Sequence, residues 1–214
     1  MKKLTLTKLL ALSFAGCLQY AQASTLAVNF PGNSLNYTTT VGSSFDASIY
    51  ASGFANLGFF DFSIIYDSTK LSALSLDSAS IFGTGSDTTY FLTDAGGNFV
   101  PYTITNAAGK GNVHFTESIS GTSALNTSGF DATQSTLLGT LHFKALATGV
   151  NSQVTIDSPS ASLTDAAGNT LAGVIQGALV TINQPAAVPL PAAFWLFAPG
   201  LLAVFGKKRL SAAG

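Results

Sequence analysis

Cysteine, methionine and tryptophan occur once each in these 214 residues, as Cys17, Met1 and Trp195, all near the ends of the chain. The long middle, residues 24–188, therefore has no disulfide and no thiol chemistry. The middle also lacks arginine and has one glutamate, Glu117, and two histidines, His114 and His142. Its only basic residues are Lys70, Lys110 and Lys144, and three cations against ten acids give a net charge of −7, although the whole chain is at −1. Phosphate contacts need lysine and arginine, so a nucleic-acid partner is not expected. Hydrolytic chemistry needs converging acids, bases or nucleophiles. No Gly-x-Ser-x-Gly elbow occurs. A Ser-His-Asp set could draw on His114 or His142, and a carboxylate pair on Glu117 and an aspartate. Spacing points to neither, and an enzyme is not expected.

The two ends differ from the middle. Met1-Lys2-Lys3 and Lys8 precede an apolar run from Leu9 to Leu18, and Ala21-Gln22-Ala23 follows. A positive start, a short apolar stretch and small residues at the cut are the parts of a secretory signal peptide, here residues 1–23, cleaved at Ala21 and Ala23. Phe14-Ala15-Gly16-Cys17 also resembles a lipobox, which leaves lipidation of Cys17 open. At the other end, Ala192 to Gly206 carries no charge and runs directly into Lys207-Lys208-Arg209. Fifteen helical residues rise only about 22 Å against a hydrocarbon core of about 30 Å. Val188 to Pro191 can lengthen the span, and the basic residues suit the cytoplasmic side. The expected order is a folded domain over 24–183, a linker and sorting motif over 184–191, a transmembrane helix over 192–206 and a basic tail over 207–214.

Between the ends, short alternating runs separated by turn clusters predict an all-β domain. Strands are expected near 26–30, 44–51, 58–66, 70–76, 90–93, 99–105, 111–118, 136–147, 153–163 and 173–182. Turns are expected at Gly32-Asn33, Gly96-Gly97-Asn98, 108–111 and Ala167-Gly168-Asn169. Nine or ten strands imply a two-sheet sandwich of jelly-roll type, with no long helix between the termini. Alternation puts Phe60, Phe62, Ile64 and Tyr66 on one face of their strand, with Phe59, Asp61, Ser63 and Ile65 opposite. It turns His114 and His142 toward solvent.

Two motifs, Asp94-Ala95-Gly96-Gly97-Asn98 and Asp165-Ala166-Ala167-Gly168-Asn169, share the form D-x-x-G-N. Their oxygens suit Ca²⁺ but number fewer than the six to eight that Ca²⁺ takes. The same residues also make hairpin turns by bonding their own backbone. No cofactor is expected, with calcium the one weak alternative. Tyr37, Tyr50, Tyr90, Tyr102 and Phe59 are candidate sugar-stacking surfaces, or ordinary packing.

The tail segment Val188-Pro189-Leu190-Pro191-Ala192, with Trp195-Leu196 and the terminal Lys207-Lys208-Arg209, resembles a PEP-CTERM sorting signal of the VPLPA variant. That resemblance implies a Gram-negative cell and processing by an exosortase-type enzyme. In the middle, Val41-Gly42-Ser43-Ser44-Phe45-Asp46, Leu57 to Asp67, Leu138 to Ala145 and Ser162 to Asn169 are similar, in order, to segments of cohesin domains. This second resemblance implies a nine-stranded jelly-roll sandwich related to carbohydrate-binding modules, whose members bind dockerins through one sheet face. The expected function is an exported, surface-sorted, non-catalytic binding module of the envelope or extracellular matrix, contacting a protein or a polysaccharide. The alternative is a carbohydrate-binding module for exopolysaccharide or, more remotely, a polysaccharide-active enzyme.

Overall fold

A computed structural model describes residues 23–82, 88–90, 92–119, 130–132 and 135–186. The strands, in chain order, begin with β1 (Thr25–Asn29), β2 (Asn36–Thr40), β3 (Ser44–Ser52), β4 (Phe54–Tyr66) and β5 (Leu71–Ser78). Then come β6 (Thr88–Thr89), β7 (Leu92–Thr93), β8 (Phe99–Val100), β9 (Tyr102–Ala107) and β10 (Lys110–Ile119). The last are β11 (Phe130–Ala132), β12 (Thr136–Ala145), β13 (Gly149–Ile156), β14 (Ser162–Asp165), β15 (Val174–Gln176) and β16 (Ala178–Asn183). The chain divides into compact units at Asn183/Gln184; of the second unit, only residues 184–186 are described. The expected signal segment, sorting motif and transmembrane helix thus lie outside the described residues. Among those described, no helix is long and apolar enough to cross a membrane.

Two large sheets form the domain, and β7 and β8 pair with each other as a separate two-stranded hairpin. The smaller runs β15-β1-β3-β12-β5, and the larger runs β2-β16-β13-β4-β10-β6, with β9 also on β10, and β11 and β14 also on β4. Most pairings are antiparallel. Two are parallel, β1 with β15 and β2 with β16. The first two and last two strands of the domain therefore travel side by side and change sheet together. β1 passes to β2 through Gly32 and Asn33, whose φ values of 78° and 57° make a tight reversal. β15 passes to β16 through Gly177.

The core lies between the sheets. Val113 and Phe115 of β10 meet Phe60, Phe62 and Ile64 of β4, and Phe45, Ile49, Leu141 and Phe143 supply the facing layer; all are at most 5% exposed. The larger sheet carries an aromatic group in which Phe60 and Phe115 stand 4.8 Å apart, edge to face. A second group links Phe30, Tyr37, Phe45, Phe143 and Tyr66. Tyr66 lies across Gly111, where a Cβ would come within 2.1 Å of its ring. Its hydroxyl thereby reaches the Asn106 side-chain oxygen, 2.5 Å away. That same amide accepts from the Ala73 N–H and donates to the Ala73 carbonyl, both at 3.1 Å, so it occupies the outer edge of β5 as a neighbouring strand would.

Several expected strands differ in extent. The stretch expected as one strand over 153–163 is two. Ser158–Ser160, containing Pro159, forms a single 3₁₀ turn between β13 and β14, because proline has no N–H to give a ladder. The 173–182 stretch is broken at Gly177. β4 starts at Phe54, ahead of the expected Gly58. β2, with its Asn-Tyr-Thr-Thr-Thr sequence, has weak apolar alternation and was not expected at all. Its parallel pairing with β16 holds it in the sheet.

Candidate functional site

Register fixes what the outer face of the larger sheet presents. Thr105, Asn112, Ile65 and Thr155 line up across β9, β10, β4 and β13. Thr103, His114 and Ser63 form the next row. Thr116, Asp61 and Ser162 form a third, across β10, β4 and β14. Seven of the ten are small neutral polar residues. His114 Nε2 stands 2.6 Å from Asp61 Oδ1, and Lys110 and Asp67 follow at one end of the same face. Ile65 is the half-buried apolar residue near the middle. At one end the face dips into a shallow cleft between Ile65, Asp67, Lys110 and Gln153.

The outer face of the smaller sheet is different. His142 of β12 sits between two carboxylates, with Nδ1 2.7 Å from Asp46 Oδ1 of β3 and Nε2 3.1 Å from Asp77 Oδ2 of β5. The hydrogen bonds to Asp77 and then Asp46 raise the imidazole pKa above its ordinary 6.5. Both histidines were expected to face solvent. Each is on an outer face as the alternation implied, but partnered with aspartate and about one-third exposed at its side chain.

Glu117 and His114, the residues an acid–base site would have to join, stand three apart on β10 and so point to opposite faces. Glu117 enters the core, opposite Phe60, and is fully buried. Its Oε1 accepts from the Ser78 hydroxyl, while Oε2 has no hydrogen-bond partner. Burial raises its pKa to about 7, against the opposing effects of the Ser78 bond and the Ile81 backbone N–H.

The two D-x-x-G-N segments are hairpin turns. Asp94 Oδ1 accepts from the Gly96 and Asn98 N–H groups at 2.8 and 2.9 Å, and Asn98 Nδ2 donates to Oδ2 at 3.0 Å. Asp165 repeats the pattern with Ala167 and Asn169. These bonds, the side-chain amide first, lower both carboxyl pKa values. Oxygens that a calcium ion would need already face N–H donors. Among the described residues no group of three or more His, Cys, Asp or Glu side chains is arranged to hold a metal.

Of the candidate stacking aromatics, Tyr37 packs with Phe30 and Phe45, and Tyr102 leans on the core. Tyr50 lies on the smaller sheet and Phe59 on the larger, so they form no common platform. Phe99, not singled out beforehand, is the exposed aromatic at 70%. Ala23 begins the described chain and its carbonyl accepts from Thr25 Oγ1. Ala21, Val188, Pro189, Leu190, Pro191, Ala192, Lys207, Lys208 and Arg209 lie outside the described residues.

Two sheets with parallel end strands define a jelly-roll sandwich. The fold is that of cohesins. The third ScaC cohesin of Acetivibrio cellulolyticus, solved in complex with the ScaB dockerin, superposes with a TM-score of 0.51 at 17% identity, covering 75% of this chain and 99% of its own. A type I cohesin–dockerin complex of Clostridium thermocellum gives 0.51 at 14% identity, with 75% and 99% covered. The cohesin module of a Clostridium perfringens family 33 glycoside hydrolase gives 0.51 at 11%, with 76% and 98% covered. No family model and no curated protein matches the sequence.

Proposed function

We propose that this protein is an exported, surface-sorted, non-catalytic module that binds another protein through the outer face of its larger sheet. The observation that carries the reading is a cohesin fold whose β13-β4-β10-β9 outer face carries mainly neutral polar residues around the half-buried Ile65. The cohesins of similar fold from Acetivibrio cellulolyticus and Clostridium thermocellum were solved bound to dockerins, so the partner sought first is a dockerin-type protein. Export through a signal peptide cut after Ala23, and sorting by Val188-Pro189-Leu190-Pro191-Ala192 with exosortase processing, complete the reading. They place the module at the cell envelope or outside it, held at least transiently by the apolar segment over 192–206.

A panel of purified dockerin-type domains tests it by calorimetry. The expected result is binding to one of them that weakens at least about tenfold on Ile65→Asp, since a buried charge at an interface centre costs well over ~1.4 kcal/mol. Leu74→Asp, on the other sheet, should leave binding unchanged. Polysaccharide hydrolysis by the purified domain, or binding indifferent to Ile65→Asp, would sink the reading. A second, glycan-binding reading draws on Phe99, which stands exposed beside the apolar cleft of Val100, Tyr102 and Ile104. Loss of polysaccharide retention on Phe99→Ala would favour it.

A further inference from the structure

The sandwich has two ends, and they differ in charge. One end gathers the Asp67–Lys70 turn, the β9–β10 hairpin, the last residues of β12 and the start of β13. The Leu146 N–H donates to the Lys70 carbonyl at 2.7 Å, and Lys70 also runs against Gly149. Lys144 pairs with Ser44 and Ser72 at the same level, and Lys110 opens β10 beside Tyr66 and Asp67. All three lysines of the domain are therefore at this end. Asp67 accompanies them, engaged by the Thr69 hydroxyl and N–H. Asp46, two residues along β3 from Ser44, is held by His142. Asp157, whose N–H donates to the Ser63 carbonyl, stands three residues short of Tyr66, ~10 Å away. Asp61, Asp77, Asp165 and Glu117 stand at or beyond mid-sheet; Asp61 is five residues from Tyr66, ~16 Å along an extended strand.

Two further features mark this end. Leu146 and Val150 are exposed by 45% and 79% there, large apolar side chains among lysines. The domain also ends there: the Asn183 carbonyl accepts from the Val41 N–H, and Val41 leads into the turn bonded to Ala145. The chain therefore leaves the domain from its basic, apolar-tipped end.

We infer that this end is a docking surface for an anionic phospholipid bilayer. Lysines near such a surface are attracted by its potential, and exposed aliphatic side chains enter the headgroup region. The excess carboxylates do not cancel this, because most lie more than a Debye length of ~10 Å away. They oppose every other orientation, so the domain meets the membrane one way up, with both sheet faces clear of the lipid. The assignment shares Lys110 and Asp67 with the cleft at the end of the partner-binding face, so the test uses Lys70 and Lys144 instead. It draws its membrane from the proposal that the tail enters a bilayer. Residues 184–191 reach at most ~28 Å when extended, which keeps the end from which they leave within range.

Vesicle flotation of residues 24–183, which carry their own core, separates the domain from the tail. Phosphatidylcholine vesicles with and without roughly a quarter phosphatidylglycerol are the probes. The expected result is salt-sensitive binding to the phosphatidylglycerol vesicles alone. Each lysine contributes about a fivefold gain in partitioning. Lys70→Glu with Lys144→Glu should therefore lose at least about 25-fold, and Val150→Asp should weaken binding without altering the circular dichroism spectrum. Equal binding to neutral vesicles, no binding to either, or full binding by the double lysine variant would overturn the inference. Failure of the tail proposal reads out separately, as loss of membrane association by the full chain. Failure of the partner proposal reads out in the calorimetry, where the double lysine variant should behave as wild type.

Discussion

Replacing Glu117 by glutamine should make the domain more stable at neutral and alkaline pH and change little in acid. The carboxyl is fully buried on the inner face of β10, and one of its oxygens has no hydrogen-bond partner. Burial raises its pKa from 4.5 to about 7. The folded domain thus holds this proton more tightly than the unfolded chain does. The stability associated with it is complete below pH 4.5 and is lost as pH rises through about 7. A gap of that width corresponds to ~3 kcal/mol between the two limits. Glutamine keeps the shape and the bond with Ser78 but has no proton to lose. At pH 8 the variant should exceed wild type by up to ~3 kcal/mol, a rise of roughly 6–12 °C in Tm for a domain of this size. At pH 4 the two should agree to within ~1 kcal/mol. Urea unfolding of residues 24–183, followed by circular dichroism across this range, measures both arms. A Glu117→Gln domain that keeps the wild-type slope between pH 5 and 8, or is less stable than wild type at pH 8, refutes the account of a carboxylate desolvated in the core.

The cluster on the smaller sheet gives a second pH effect of the same sign. The His142 pKa is raised by Asp77 and Asp46, so its contribution is full below pH 6.5 and disappears above the raised value. Solvent screening keeps it under ~1 kcal/mol; His142→Gln should lower the urea midpoint at pH 5 and leave it unchanged at pH 9. Asn106→Ala removes both bonds to Ala73 and the one to Tyr66, and should cost ~1–3 kcal/mol in the same assay. The conservative Asn106→Asp change keeps the acceptor but loses the donor to the Ala73 carbonyl, and should recover only part of that.

The faces of β4, β10 and β12 were legible because residues 59–66, 111–115 and 141–145 alternate apolar with polar along most of their length. Phe60, Phe62 and Ile64 could go inward only if Asp61 and Ser63 went outward. The D-x-x-G-N turns were legible for a similar reason, since aspartate, glycine and asparagine at that spacing satisfy one another locally. What could not be read was register. His114 and Asp61 are 53 residues apart, and His142 and Asp46 are 96 apart. Nothing local specifies which strands become neighbours. Glu117 was read as a candidate for acid–base work because a lone glutamate draws attention. Its neighbours on β10 show instead that it occupies a place where alternation calls for an apolar residue. The basic end was hidden in the same way: Lys70, Lys110 and Lys144 are scattered in sequence and meet only through the topology.

Asn106 bears on what happens when many copies crowd together. A sheet edge behaves like the growing tip of a polymer, ready to accept the next strand. On β5 that tip is occupied at Ala73 by an amide from the same molecule, offering one donor and one acceptor as a peptide group would. The side chain works as a chain stopper. Where copies crowd together, strand pairing at that point of the β5 edge is already taken.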